Sequence, residues 1–403
     1  MLERIRFRRW WRPPRATSER AEERRVTFLE LFYDLVYVVI ISELSHALSE
    51  QISLTGIGTF VFLFIVVWWA WFNGAMYHDL HGNNDIRTRV FTFSQMFTVA
   101  AMAVFAHNAM GIGSTGFALA YAAFHLILTW LWWRTGVYDP HHRPISQPYS
   151  LTFLITSLLF IFSIFVPAPW QFTLWGLALL LDLILLSLIL TSSNPAIQEQ
   201  LSRTMLISPT AVERFGLFTI IVLGEVIVGV VSGVAGHQHL SWLVGGTAAL
   251  GMLIAIGLWW IYFDFVSDRP PVPQTIPSLG WVYLHLPATI GITALGASIL
   301  NVVEHAGETL PVEVRWLLVG AVAAALFGIS VLTRTLNIPE NQRSYYRTGF
   351  VMMVVAGLVA ASLGLIRMNT IPLLLALSAL LLVPIAYAIL IWIKVFDADE
   401  IER

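Results

Sequence analysis

Twelve apolar runs of about 20 residues follow one another along this chain, with only short, turn-rich segments between them. A run of that length matches what an α-helix needs to cross a hydrocarbon core about 30 Å thick. In lipid, every backbone N–H and C=O must be paired within its own segment or within a closed barrel, so such runs read as helices. They fall near residues 28–49, 55–77, 89–110, 114–134, 148–167, 170–192, 211–235, 241–266, 277–302, 313–333, 345–367 and 371–395. Composition agrees. Only 12% of residues are charged and 57% are hydrophobic, against about 25% charged in a soluble domain. The expected fold is an all-α polytopic integral membrane protein with about 12 transmembrane helices, its partner the lipid bilayer.

The remaining composition excludes several chemistries. There are no cysteines, so disulfides, thiolate metal sites and iron–sulfur clusters cannot form. No phosphate-binding GxxxxGK[ST], dinucleotide fingerprint, HExxH or GxSxG occurs, which argues against an ATP-driven pump or a soluble-type hydrolase. No enzyme activity, cofactor or metal is expected. Residues 1–25 carry nine arginines among Trp10, Trp11, Pro13 and Pro14. They read as an arm lying on anionic headgroups, with no need of a nucleic-acid partner. No cleavable signal is expected, because Glu30 and Asp34 interrupt the first apolar run. With the N-terminus cytoplasmic, 21 of the 23 Lys and Arg fall on that side, leaving only Arg315 and Arg367 outside. That bias predicts both termini in the cytoplasm of a bacterial inner-membrane protein.

The sequence suggests an internal duplication. Trp68-Trp69-Ala70-Trp71-Phe72-Asn73 answers Trp259-Trp260-Ile261-Tyr262-Phe263-Asp264 at an offset of 191. The same offset sets Glu22 on Glu213, Asp34 on Glu225, Arg143 on Arg334 and Pro148 on Pro339. The domain expectation is a basic arm (1–25), two six-helix repeats (26–200 and 201–396) and a short cytoplasmic tail (397–403). An even number of spans per repeat orients both halves alike. The aromatic runs themselves are expected at cytoplasmic helix ends, as an interfacial belt.

Ionisable residues inside these spans are the candidate site. Each costs about 2.5–3.5 kcal/mol at a helix centre in lipid. Glu30, Asp34 and Tyr37 share one face of the first helix, while Glu43 and His46 sit on another face near its outer end. Glu30 is shallow enough to be a helix N-terminal charge held by Arg24 or Arg25. Asp34 is deeper, either a pathway group or a partnered structural carboxylate. Glu225 lies mid-span among Gly224, Gly229 and Gly233, which would let a neighbouring backbone approach. Glu213 and Arg214 read as a cytoplasmic end pair, with Arg214 alternatively reaching inward to a carboxylate. Asp182, Asp264, His107, His125 and His285 are further groups inside spans. No lysine occurs in a span interior, and carboxylates with imidazoles suit cations or proton relay.

Two stretches resemble the paired signatures of a known family. ELFYDLVYVVIISELSH, from Glu30, and ERFGLFTIIVLGEVIVGVV, from Glu213, are similar to those of the bacterial low temperature requirement A proteins. Length, basic arm, apolar spans and tryptophan-rich helices extend the resemblance over nearly the whole chain. It implies a bacterial membrane protein tied by name to growth in the cold, with Glu30, Asp34, Glu213, Arg214 and Glu225 at motif positions. It implies no biochemical activity. The functional expectation is a secondary transporter or permease for a cation or a proton-coupled solute. Its binding groups would be Asp34, Glu225, Asp182, Glu30 and Asp264, supported by Tyr37, Arg214, Glu213 and His285. A cation channel and a non-transporting sensory or structural protein are the alternatives, and oligomeric state is left open.

Overall fold

A computed structural model describes residues 14–15, 25–204, 207–267 and 269–401. Of the basic arm, only Pro14, Arg15 and Arg25 are among them, so its expected membrane contact and the match of Glu22 to Glu213 lie outside the described residues. Thirteen α-helices follow in order: α1 (Phe28–Glu50), α2 (Leu54–His81), α3 (Ile86–Ala106), α4 (Ser114–Tyr138), α5 (Arg143–Ser163), α6 (Trp170–Leu190), α7 (Pro195–Thr204), α8 (Pro209–Ala235), α9 (Trp242–Phe265), α10 (Thr275–Glu304), α11 (Val312–Leu332), α12 (Arg343–Ser362) and α13 (Thr370–Ile401). There is no strand among the described residues. The chain is therefore an all-helical, multi-pass membrane protein.

Polar residues set the helix starts. Asp85 accepts a hydrogen bond from Thr88 N at the start of α3, and Ser241 does so from Val244 N at α9. Each satisfies one of the amide groups a helix start leaves unpaired. Eleven of the long helices are apolar and long enough to cross a membrane; α1, with Glu30, Asp34, Glu43 and Glu50, is not among them. The short α7 sits in the connection before α8. At the other end, the expected short tail is a continuation of α13, helical to Ile401.

The chain divides into two compact units, Met1–Leu44 with Phe62–Arg214, and Ser45–Val61 with Phe215–Arg403. The dividing lines fall inside α1, α2 and α8. The first unit has an aromatic interior built from Tyr33 and Tyr37 of α1, Trp68, Trp69 and Trp71 of α2, and Trp175 of α6. The second is built around α10 and α11, the most enclosed of the candidate spans. Small residues bring these two helices together. A Cβ on Gly291 would stand 2.6 Å from Ala325 N, and one on Gly328 would stand 2.6 Å from Ala288 N. Backbones this close are the small-residue packing that substitutes for hydrophobic association in lipid.

Two sequence expectations change. The 191-residue offset does not run through the helices. A 3₁₀ turn precedes the fifth long helix of each set of six, Pro140–His142 before α5 and Glu340–Gln342 before α12. Arg143 and Arg343 open those helices, 200 residues apart, whereas Arg334 follows the end of α11. The slip arises in α10, which has 30 residues where α3 has 21. The tryptophans of α2 also form no interfacial belt. α2 continues to His81, so Trp68, Trp69 and Trp71 stand in mid-helix and are at most 1% exposed. Trp259 and Trp260 of α9 remain on the surface.

Candidate functional site

The first unit holds its charges in pairs. Asp34 lies six residues past the start of α1, about 9 Å along it, and Arg214 lies five past the start of α8. Arg214 Nη2 donates to Asp34 Oδ1 (2.5 Å) and Nε to Oδ2 (3.1 Å). Trp71 Nε1 donates to the same Oδ1 (2.8 Å), and Arg214 Nη1 donates to the Ala75 carbonyl (3.1 Å). Both side chains are almost wholly enclosed. The two-pronged contact fixes geometry as well as charge. The guanidinium carbon lies 5.5 Å from the Tyr33 ring centre, within cation–π range. Tyr33 and Tyr37 then join through their hydroxyls at 3.0 Å. Gly74 of α2 is required here, because a Cβ would collide with the Tyr33 hydroxyl.

Adjacent helical residues point about 100° apart, so Glu213 cannot share the direction of Arg214. Glu213 is exposed and accepts a long bond from Val26 N (3.4 Å). The end-pair reading of Glu213 with Arg214 thus gives way to its alternative, an arginine turned inward.

Glu30 belongs to a capping box. Its Oε2 accepts from Thr27 N and Thr27 Oγ1, both at 2.9 Å, while Thr27 Oγ1 accepts from Glu30 N at 3.3 Å. The reciprocal bonds close the first turn of α1. Glu30 also lines a cavity of about 880 Å³, together with Arg25, Thr27, His78, Arg89 and Thr92. At this cavity His78 Nε2 lies 2.9 Å from Gln95 Oε1, to which it donates.

A second buried pair joins α4, α5 and α6. His125 Nε2 stands 3.4 Å from Asp182 Oδ2, with both side chains fully enclosed. Thr156 Oγ1 donates to Asp182 Oδ1 (2.8 Å), and His125 Nδ1 lies 3.1 Å from the Tyr121 carbonyl. Elsewhere in the unit, Ser208 Oγ donates to Asp79 Oδ2 (2.8 Å), and Asp79 is buried.

In the second unit, Glu225 is 2% exposed and sits sixteen residues past the start of α8, about 24 Å along it. A Cβ on Gly296 of α10 would lie 2.7 Å from the Glu225 carbonyl oxygen. Gly229 and Gly233 abut α10 in the same way, through Gly296 O and Leu300 O, whereas Gly224 faces open space. Tyr262 OH lies 3.0 Å from His285 Nε2, and His285 Nδ1 lies 2.7 Å from the Trp281 carbonyl. The imidazole is thereby held on both nitrogens. Asp264 joins no buried cluster. It is exposed near the end of α9 and accepts from Trp260 Nε1 of the same helix (2.8 Å). His46 meets Glu50 at 3.3 Å on the surface.

Asp34 and Glu225 belong to different units and to different levels of their helices. Counted from the helix starts, Asp34 answers residue 215, beside Arg214, and not Glu225. The sequence reading missed Trp71 and His125 as the partners of Asp34 and Asp182. Depth was the available signal: His125 lies eleven residues into α4 and Asp182 twelve into α6. Among the described residues, no group of three or more His, Asp or Glu is placed to hold a metal ion.

The family model for bacterial low temperature requirement A protein (LtrA) matches residues 25–394, nearly the whole chain. The chain is also 30% identical over 308 residues to Uncharacterized protein RA0937 of Rhizobium meliloti (strain 1021), a match covering 69% of this chain and 70% of that protein.

Proposed function

The chain belongs to the bacterial low temperature requirement A family, and from that premise we propose that it is a secondary transporter or permease of the bacterial inner membrane. It moves a cation, or a solute coupled to protons, with both termini in the cytoplasm. The two sets of six long helices are its parallel halves. The observation that carries the reading is the cavity lined by Glu30 and His78, one helical turn along α1 from the buried Asp34–Arg214 pair. An ion or solute entering there meets a carboxylate and an imidazole first, and a breakable ion pair next. Ionisable groups are rare in membrane interiors and mark pathways there.

A second reading is favoured by Asp34 itself. Both of its oxygens are occupied by Arg214 and Trp71, as expected of a carboxylate that only locks α1, α2 and α8 together.

Flux separates the two. The full chain is reconstituted in phosphatidylethanolamine–phosphatidylglycerol vesicles and challenged with imposed H⁺, Na⁺ and K⁺ gradients. The transport reading expects saturable flux, lowered about tenfold or more by Glu30→Gln and little changed by Glu213→Gln. Unsaturable flux identifies a channel. No flux under any gradient removes the transport reading and leaves the structural one.

A further inference from the structure

His125, Asp182, Thr156 and Tyr121 carry a constraint on protons that follows from donor and acceptor chemistry alone. The Tyr121 carbonyl can only accept, so His125 Nδ1, 3.1 Å away, carries a hydrogen. Nε2 is then bare in the neutral ring and protonated in the imidazolium. It faces Asp182 Oδ2 at 3.4 Å, and both side chains are wholly enclosed. The other carboxylate oxygen already accepts from Thr156. Oδ2 and Nε2 have no other hydrogen-bond partner among the described residues.

With no proton between them, two lone pairs face each other and a bare carboxylate is buried. With two protons, an imidazolium is buried beside a neutral acid. Either state leaves an uncompensated charge in low dielectric. With one proton the pair is neutral overall, as imidazolium–carboxylate or as imidazole–carboxylic acid.

We propose that His125 and Asp182 together form a one-proton site, and that it carries the H⁺ of the transport described above. Uptake forms one N–H or O–H bond and takes the pair from a net charge of −1 to 0; release breaks that bond and no other. The carrier role rests on the transport reading, whereas the proton site stands without it.

Aromatic rings and tyrosines surround the pair. The pair is walled by Phe124 and Phe153 rings. The titratable neighbours are Tyr121 on α4, whose ring centre is 4.3 Å from that of His125, and beyond it Tyr37 of α1. The Tyr121 hydroxyl is buried and makes no hydrogen bond among the described residues. It is an electrostatic neighbour of both Asp182 and Tyr37. Tyr37 meets Tyr33, whose ring lies under Arg214, the partner of Asp34. Of these tyrosines, only Tyr33 and Tyr37 are joined through their hydroxyls.

The test is spectroscopic and uses the full chain in the same vesicles. pH-titrated infrared difference spectra report Asp182, and ¹⁵N-histidine resonances report His125. The expected result is one coupled titration step involving both residues, with Nδ1 protonated throughout. Asp182→Asn and His125→Gln each abolish that step. Thr156→Val, which keeps both titrating groups, shifts its midpoint without removing it, and this guards against a variant that fails to fold. Two independent steps, a bare Nδ1, or a step that survives Asp182→Asn would overturn the one-proton site. If the step is present and wild-type vesicles show no flux, the transport reading fails and the site stands. If flux occurs and Asp182→Asn leaves its proton coupling intact, the carrier role fails.

Discussion

A carboxylate enclosed in a helix bundle must be matched by a proton, a cation or an arginine, and at Asp34 an arginine from α8 does so. Removing one partner of such a pair leaves the other charge buried alone, at a cost of about 3–5 kcal/mol. Asp34→Asn and Arg214→Gln should each lower thermal stability in detergent by that order. The apolar double replacement, Asp34→Leu with Arg214→Met, should recover most of the loss. Additive effects of the two single changes would mean that the groups do not act as a unit. Trp71→Phe keeps an aromatic ring but removes one hydrogen bond to a charged group, for about 1.5–3 kcal/mol, and adds the cost of the cavity left by the smaller ring. The capping box makes a milder prediction. Thr27→Ala should cost about 1 kcal/mol and accelerate amide exchange in the first turn of α1, while exchange at the centre of the helix stays unchanged.

The twelve long helices were legible in the sequence because apolar run length is itself the membrane constraint, whereas the short α7 was not. Nor was the end of α2. Its last turn, His78 to His81, lay beyond the expected span of 55–77, yet Asn73, His78, Asp79 and His81 are all buried within the first unit. A polar helical extension sheltered by protein looks the same in sequence as one in water, and the misplaced end turned an interior tryptophan cluster into an expected belt. The pairing of charges had a signal in depth, since Asp34 and Arg214 stand six and five residues into α1 and α8, and His125 and Asp182 eleven and twelve into α4 and α6. The constant offset of 191 hid the first pair, because α1 starts at Phe28 and α8 at Pro209, so the offset set Asp34 on Glu225 instead of beside Arg214. Helix contact was read correctly at Gly229 and Gly233 and not at Gly224, since a small residue reveals an approach only where a neighbour is present. That difference can be measured. Gly296→Ala puts a methyl group 2.7 Å from the Glu225 carbonyl and should destabilise the second unit. Gly224→Ala meets nothing within 4 Å and should be neutral, or stabilising by about 0.5–1 kcal/mol through helix propensity. Equal effects of the two changes would contradict the close approach of α8 to α10.

At the level of the whole molecule, topology turns on α1, which carries four carboxylates. α1 has 23 residues, about 34 Å and enough to cross a bilayer, yet it lies outside the eleven helices apolar enough to do so on composition. The two carboxylates nearest its start are held by protein: Glu30 is capped by Thr27 and Asp34 is matched by Arg214. A span whose acids are satisfied by protein can cross where its hydropathy alone would argue against it. Twelve crossings place both termini on one side, and eleven would place them on opposite sides. With no native cysteine to remove, single cysteines can decide between these. For twelve crossings with a cytoplasmic N-terminus, Gln51→Cys, Gln238→Cys and Glu308→Cys should react with a membrane-impermeant maleimide on intact cells. Val26→Cys, His141→Cys and Glu340→Cys should react only after permeabilisation. Labelling of Val26→Cys and Gln51→Cys from the same side would mean that α1 does not cross. The Asp34–Arg214 pair would then lie at the membrane surface, where an ion pair is exposed to water and salt, and the loss of stability expected from Asp34→Asn should shrink to about 1 kcal/mol or less.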